Sequence, residues 1–190
     1  MLTDRDATVI RYLTEFRAAH TSTLAALFFP HYRTAARRLT AMASQGDLKR
    51  ARVGVTREYV YWVPPKPKQL RHALTVTDFD RELSSVATVE QRCAEKAVGG
   101  VRPDAILVYR YRDRRYLACL EVQLSRVPVD LDKYVRLLLS GEWRGCWPVF
   151  PQIIVVTDQR FTPPPELTVI RVPTTLDLAP LLAYLSSAST

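Results

Sequence analysis

The sequence is poor in the residues that carry extracellular or zinc chemistry. It has three cysteines (Cys93, Cys119 and Cys146) and three histidines (His20, His31 and His72) among 190 residues. The cysteines are odd in number and far apart, which argues against a disulfide framework, and metal-finger spacing is lacking. No apolar run is long enough to span a bilayer, so no membrane partner is expected. Asp4, Arg5 and Asp6 interrupt the N-terminus, so a signal peptide is not expected and the expected location is cytoplasmic. Internal repeats and low-complexity tracts are missing too. Acidic residues are in deficit, 19 against 27 Lys and Arg, for a net charge of +8 and a pI near 9.7. That balance suits a polyanionic partner. Apolar content of 47% and charged content of 24% are ordinary for a globular chain, and the length allows one large domain or two small ones.

What is present begins with helical punctuation. Thr3 caps an expected helix to about residue 17, with Asp4 and Asp6 at its positive end and Val9, Ile10, Leu13 and Phe16 as its apolar stripe. "HTSTLAALFFP" reads as a second, short helix capped by Thr21 or Ser22 and stopped by Pro30. A third runs from about 32 to 44, with Ala35, Leu39, Met42 and Ala43 inward and Gly46 ending it. The segments "LKRARV" and "EYVYWV", joined by "GVTR", then read as a hairpin. Three helices and a hairpin are the order of a winged helix-turn-helix, in which the third helix enters the major groove and the wing touches the backbone. The expected DNA-contacting residues are Tyr32, Arg33, Thr34, Arg37 and Arg38 on the helix and Lys49, Arg50, Arg52 and Arg57 on the wing. Residues 1–64 hold ten Lys and Arg against five Asp and Glu, a net of +5, so the charge excess sits where such a fold meets double-stranded DNA. The competing reading is a solvated helix face or a protein-binding winged helix. Base specificity cannot be read, because arginine serves guanine edges and phosphates alike.

"VPPKPKQ" is a stiff connector. It sets an expected division into a winged helix at 1–64, a linker at 65–69 and a second domain at 70–190. After it, 70–85 reads as a helix and "SSVATVEQR" as a short strand. "RPDAILVYRYRDRRYLACLEVQ" folds most simply as a hairpin with strands at 105–109 and 116–122. Its strands are apolar on both faces, so both faces need cover. A helix at 129–140, strands in "FPQIIVVTD" and "ELTVIRV", and a closing helix in "LAPLLAYL" complete a mixed sheet flanked by helices. A two-residue turn at Arg112 and Asp113 sets Asp104 opposite Glu121; a turn one residue later sets it opposite Gln123. In either register Asp104, Glu121 and Gln123 point to one side. Facing carboxylates repel unless a cation lies between them, and oxygen ligands of this kind suit Mg²⁺ or Mn²⁺. Glu90 and Glu95 are candidates for a third carboxylate. The run Arg110, Arg112, Arg114 and Arg115 at the hairpin tip is either a second backbone-contact patch or a solvated loop.

The order of helix, strands, "PD", a strand ending in Glu-x-polar, helix and strand resembles the PD-(D/E)XK nuclease superfamily. The resemblance implies metal ligation by Asp104 and Glu121 and a catalytic group at Gln123. The superfamily lysine is replaced there by glutamine, which carries no charge. Lys133, on the next helix, is the candidate substitute. The chain is also similar, over about residues 1–160, to the replication-relaxation proteins of plasmids and other mobile elements, through "RHALTVTDF", "RPDAILV", "LEVQ" and "DKY". These resemblances imply an α+β or α/β two-domain chain, a winged helix-turn-helix followed by a nuclease-like domain. The expected function is a DNA-binding accessory or regulator of plasmid or mobile-element replication or transfer, with a nuclease-like domain that does not cleave. The alternatives are a Mg- or Mn-dependent DNA endonuclease targeted by its winged helix, and a transcription regulator acting as a homodimer.

Overall fold

Thr3 and Asp6 start the first helix by satisfying each other's backbone. The Thr3 side chain accepts from the Asp6 amide while the Asp6 carboxylate accepts from the Thr3 amide at 2.6 Å, a reciprocal capping box. In the computed structural model, which describes residues 2–53 and 58–188, that helix is α1 (Asp4–Phe16). It is followed by β1 (Ala19–His20), α2 (Thr21–Phe28), α3 (Tyr32–Gln45), β2 (Lys49–Arg52), β3 (Tyr59–Trp62) and α4 (Leu70–Val86). Gly46 ends α3 in the left-handed region, with φ +90°, a conformation that glycine adopts without steric cost. The expected inward residues Ala35, Leu39 and Met42 are fully buried, and Ala43 is half-buried. Two details differ from the sequence reading. The N-cap of α2 is His20, which makes no side-chain cap bond, because Thr21 is already in the helix and its hydroxyl donates to the Tyr59 carbonyl. The strand β1 was not expected: at two residues it is too short for any periodicity. It pairs with β3, giving a three-stranded antiparallel sheet in the order β1-β3-β2.

The chain forms two compact units, residues 1–81 and 82–190. The division falls inside α4 rather than at the 65–69 connector. The physical reason is that Ala73 and Leu74 of α4 share an apolar cluster with Ala18, Val60 and Trp62. The Thr77 hydroxyl also donates to the Ala18 carbonyl at 3.1 Å.

The second unit holds β4 (Thr88–Ala94), β5 (Ala105–Tyr111), β6 (Arg114–Val122), α5 (Asp132–Ser140), a 3₁₀ turn (Glu142–Gly145), β7 (Gln152–Val156), β8 (Val169–Val172) and α6 (Ala179–Ser187). Its sheet runs β4-β5-β6-β7-β8, antiparallel through β6 and parallel from β6 to β8. Whole-strand burial of Gln152–Val156 fits an interior strand, paired on both sides. The hairpin pairs Ala105 with Leu120 and Tyr111 with Arg114, so the two-residue turn is Arg112–Asp113. Arg112 carries φ +52°, an uncommon conformation for a residue with a side chain. Ile106 and Cys119 are buried in one cluster with Leu131, Tyr134 and Leu137, so one face of the hairpin is covered by α5. Ala105, Leu107, Ala118, Leu120 and Val122 on the other face are buried as well. The described residues therefore form a mixed α and β chain with one large and one small sheet, and none of their helices is long and apolar enough to cross a membrane.

Candidate functional site

The hairpin register sets Asp104 and Glu121 at facing positions, one step beyond the last paired residues, Ala105 and Leu120. Asp104 sits where β5 has not yet begun, so the Val122 amide of β6 has no backbone acceptor across from it. The Asp104 carboxylate accepts that amide at 2.7 Å. Its own amide donates to the Leu120 carbonyl at 3.0 Å. Asp104 thus closes the ladder with its side chain, a structural task that a carboxylate before a strand performs well.

Glu121 is engaged from above by α5. Lys133 Nζ lies 2.8 Å from Oε1, and the Tyr134 hydroxyl donates to the same oxygen at 2.6 Å. Consecutive helix residues reach one oxygen because Tyr134 is buried on the sheet side, while Lys133 extends from the rim. Burial raises the Glu121 carboxyl above its ordinary value, with Lys133 and Tyr134 working against that and the Asp104 charge adding to it. Burial and the Glu121 charge also push the Cys119 thiol up to about 12. Cys119 is therefore a packed apolar group, not a nucleophile.

Gln123 follows the alternation onto the same side, but its amide is used locally. Nε2 donates to Ser125 Oγ at 2.7 Å and to the Val127 carbonyl at 2.9 Å. Gln159 donates to the Val127 carbonyl as well, so the two glutamines shape the 123–127 turn. Glu95 is paired with Arg102 at 3.1 Å. Glu90, at a bulge in β4, is shared by Arg110 and Arg115. Neither completes the carboxylate pair. Among the described residues, no group of three or more His, Cys, Asp or Glu is placed to hold a metal ion. Mg²⁺ demands near-octahedral oxygen coordination. Here one Glu121 oxygen is taken by an amine and a phenol, and one Asp104 oxygen by an amide. As arranged, these residues do not fit Mg²⁺ or Mn²⁺.

The basic face of the first unit is partly as expected. Tyr32, Arg33 and Arg37 of α3 are exposed, as are Lys49 and Arg52 of β2, while Thr34 is half-buried. Arg50 is half-buried: it donates to Thr40 Oγ1 at 2.8 Å and stacks over Tyr59, which Arg52 also approaches. Arg57 lies outside the described residues. Arg38 requires a correction. Its Nε and Nη2 grip the two oxygens of buried Asp6 at 2.9 and 2.5 Å, so it joins α3 to α1 instead of facing outward.

Sequence reasoning missed a polar cluster on α4. The Asp78 carboxylate accepts from Thr23 Oγ1 at 2.6 Å and lies 3.0 Å from His20 Nδ1. The buried Tyr12 hydroxyl donates to Asp80 at 2.9 Å. The available signal was Thr77, Asp78 and Asp80 set beside the apolar residues Val76 and Phe79, within the stretch of α4 that packs inward.

No family model matches this sequence, and no curated relative or solved structure matches it either.

Proposed function

We propose that this chain is a double-stranded-DNA-binding accessory or regulatory protein of plasmid or mobile-element replication or transfer, and that its second unit is nuclease-like but does not cleave. The observation that carries the DNA reading is the basic face built by α3 and β2. Arg33, Arg37, Lys49 and Arg52 are all exposed there. The helix and strand order of the first unit, with its β1-β3-β2 sheet, agrees with a winged helix-turn-helix, where α3 would enter the major groove. In the second unit, the order β4-β5-β6-α5-β7 and the facing Asp104 and Glu121 support the resemblance to PD-(D/E)XK nucleases. The absence of cleavage rests on the occupied carboxylate oxygens and on Gln123 being turned into its own loop. The mobile-element assignment rests on the motif resemblance alone.

A second reading, a metal-dependent endonuclease, is favoured by one observation: Lys133 Nζ is 2.8 Å from Glu121, where a lysine could serve an attacking water in place of the one missing at 123.

Two measurements test these readings. Duplex affinity should fall steeply with salt through counterion release, and Arg33→Ala with Arg37→Ala should flatten the log–log salt slope by about 2. An unchanged slope removes α3 from the interface. Supercoiled and linear DNA incubated with Mg²⁺ or Mn²⁺ should remain intact. Efficient nicking that is lost in Asp104→Ala, Glu121→Ala and Lys133→Ala would establish the endonuclease instead.

A further inference from the structure

On the sheet face that carries Asp104 and Glu121, further along the same strands, lies a cavity of about 850 Å³. Val108 and Leu117 form its floor, and Trp147 and Val149 from the segment after the 3₁₀ turn form a wall. This is the size range of sites that enclose a small ligand. Its mouth is cationic. Lys96 and Arg115 line it against the one carboxylate of Glu90, and that carboxylate is already shared by Arg110 and Arg115, each at 2.7 Å.

An apolar, aromatic-walled cavity under a cationic rim is complementary to a nucleotide whose base is free to leave its strand. The base enters, and the phosphates stay at the rim. A duplex does not offer this without the cost of unpairing and unstacking a base. We propose that this cavity is a second nucleic-acid site, which takes one unpaired base of a single strand and holds the adjoining phosphates with Lys96 and Arg115. The proposal does not depend on the duplex-binding reading of the first unit.

The test uses the full chain and fluorescence anisotropy with a labelled oligo-deoxythymidine strand and, separately, a labelled duplex. Val149 is 57% exposed, so Val149→Arg blocks the wall without disturbing the core, as its thermal melt should verify. It should weaken single-strand binding about tenfold, the scale of one lost stacked base. Lys96→Ala with Arg115→Ala should weaken it as well and should flatten the salt slope. Neither variant should change duplex affinity. Arg33→Ala with Arg37→Ala should do the reverse. The proposal is overturned if the wild type does not bind the single strand, if neither cavity variant weakens that binding, or if the Arg33/Arg37 variant weakens both ligands in parallel. Loss of duplex binding alone would strike only the reading of the first unit.

Discussion

Each unit contains a carboxylate covered by a partly exposed cation, and the two pairs behave oppositely. In the first, Arg38 covers Asp6, with side chains 29% and 1% exposed; in the second, Lys133 covers Glu121, at 26% and 17%. Asp6 is held well below its ordinary value, chiefly by the Arg38 hydrogen bonds acting against burial. Glu121 is raised, burial outweighing Lys133 and Tyr134. The weight of burial differs between the two, and so do the donors. Asp6 receives both arms of a guanidinium fork together with the amide and hydroxyl of Thr3. Both donors to Glu121 converge on a single oxygen. Charge-assisted bonds spread over both oxygens offset desolvation; one crowded oxygen does not.

The largest way to break this comparison is to remove Asp6. Asp6→Ala strips the capping box and leaves Arg38 without its anchor, so stability in urea should fall by about 2–3 kcal/mol. Arg38→Lys should recover only part of the wild-type value, because an amine cannot make the forked contact. If Asp6→Ala costs no more than Lys133→Met, the count of donors is not what separates the two sites.

The second pair should respond less. Lys133→Met leaves Glu121 with Tyr134 only and should cost about 1–2 kcal/mol. The pH dependence should sharpen the contrast. The folded value of Glu121 lies above the ordinary 4.5, so its favourable contribution is complete below 4.5 and is lost as pH rises through the folded value. Asp6 has the opposite sign: its contribution is present above 3.8 and is lost as pH falls through its lowered folded value. Between neutrality and pH 4.5, wild type should therefore gain stability relative to Glu121→Gln, by less than about 1 kcal/mol. Parallel urea midpoints for the two proteins over that window would remove the raised value from Glu121.

The elements were legible because their signals are local. Thr3 with Asp6, Gly46 after an apolar stripe, and the uniform "QIIVV" each determine a boundary without reference to the rest of the chain. That Asp104, Glu121 and Gln123 share one side was legible for the same reason, since strict alternation determines it, whereas the choice of Glu121 over Gln123 as the facing residue waited on the turn register. The partners of the charged side chains were not. Arg38 differs from Arg37 by one position on a helix, and only the placement of α1 decides which of the two meets Asp6. Lys133 was readable as a candidate, but not Tyr134 beside it, because a tyrosine in an apolar stripe reads as core. Gln123 looked like a site residue until the return of the chain at 125–127 claimed its amide. The parallel pairing of β6, β7 and β8 was hidden too, since buried strands lose the alternation that marks an edge.

The smallest expected effect belongs to a third carboxylate, which combines features of the other two. Asp78 is buried enough to be raised, but His20 and Thr23 both donate to it and hold it below its ordinary value. His20 in turn is raised above 6.5, by the Asp78 hydrogen bond first and against its own burial; Glu58 adds to the rise and Arg81 opposes it. A proton on Nδ1, 3.0 Å from the carboxylate, thus joins the start of α2 to α4. The sign follows from linkage: this contribution is complete below pH 6.5 and is lost as pH rises through the higher folded value. Arg81 lies 3.8 Å from the same carboxylate and retains part of the attraction when the imidazole is neutral, so the loss should be below about 1 kcal/mol. Urea unfolding of wild type should show a falling midpoint on the alkaline side of 6.5. In His20→Gln, which keeps an amide donor but cannot titrate, that fall should be absent. A His20 ring whose NMR titration midpoint lies at or below 6.5 would show that two donors on Asp78 are too few to reproduce the behaviour of Asp6.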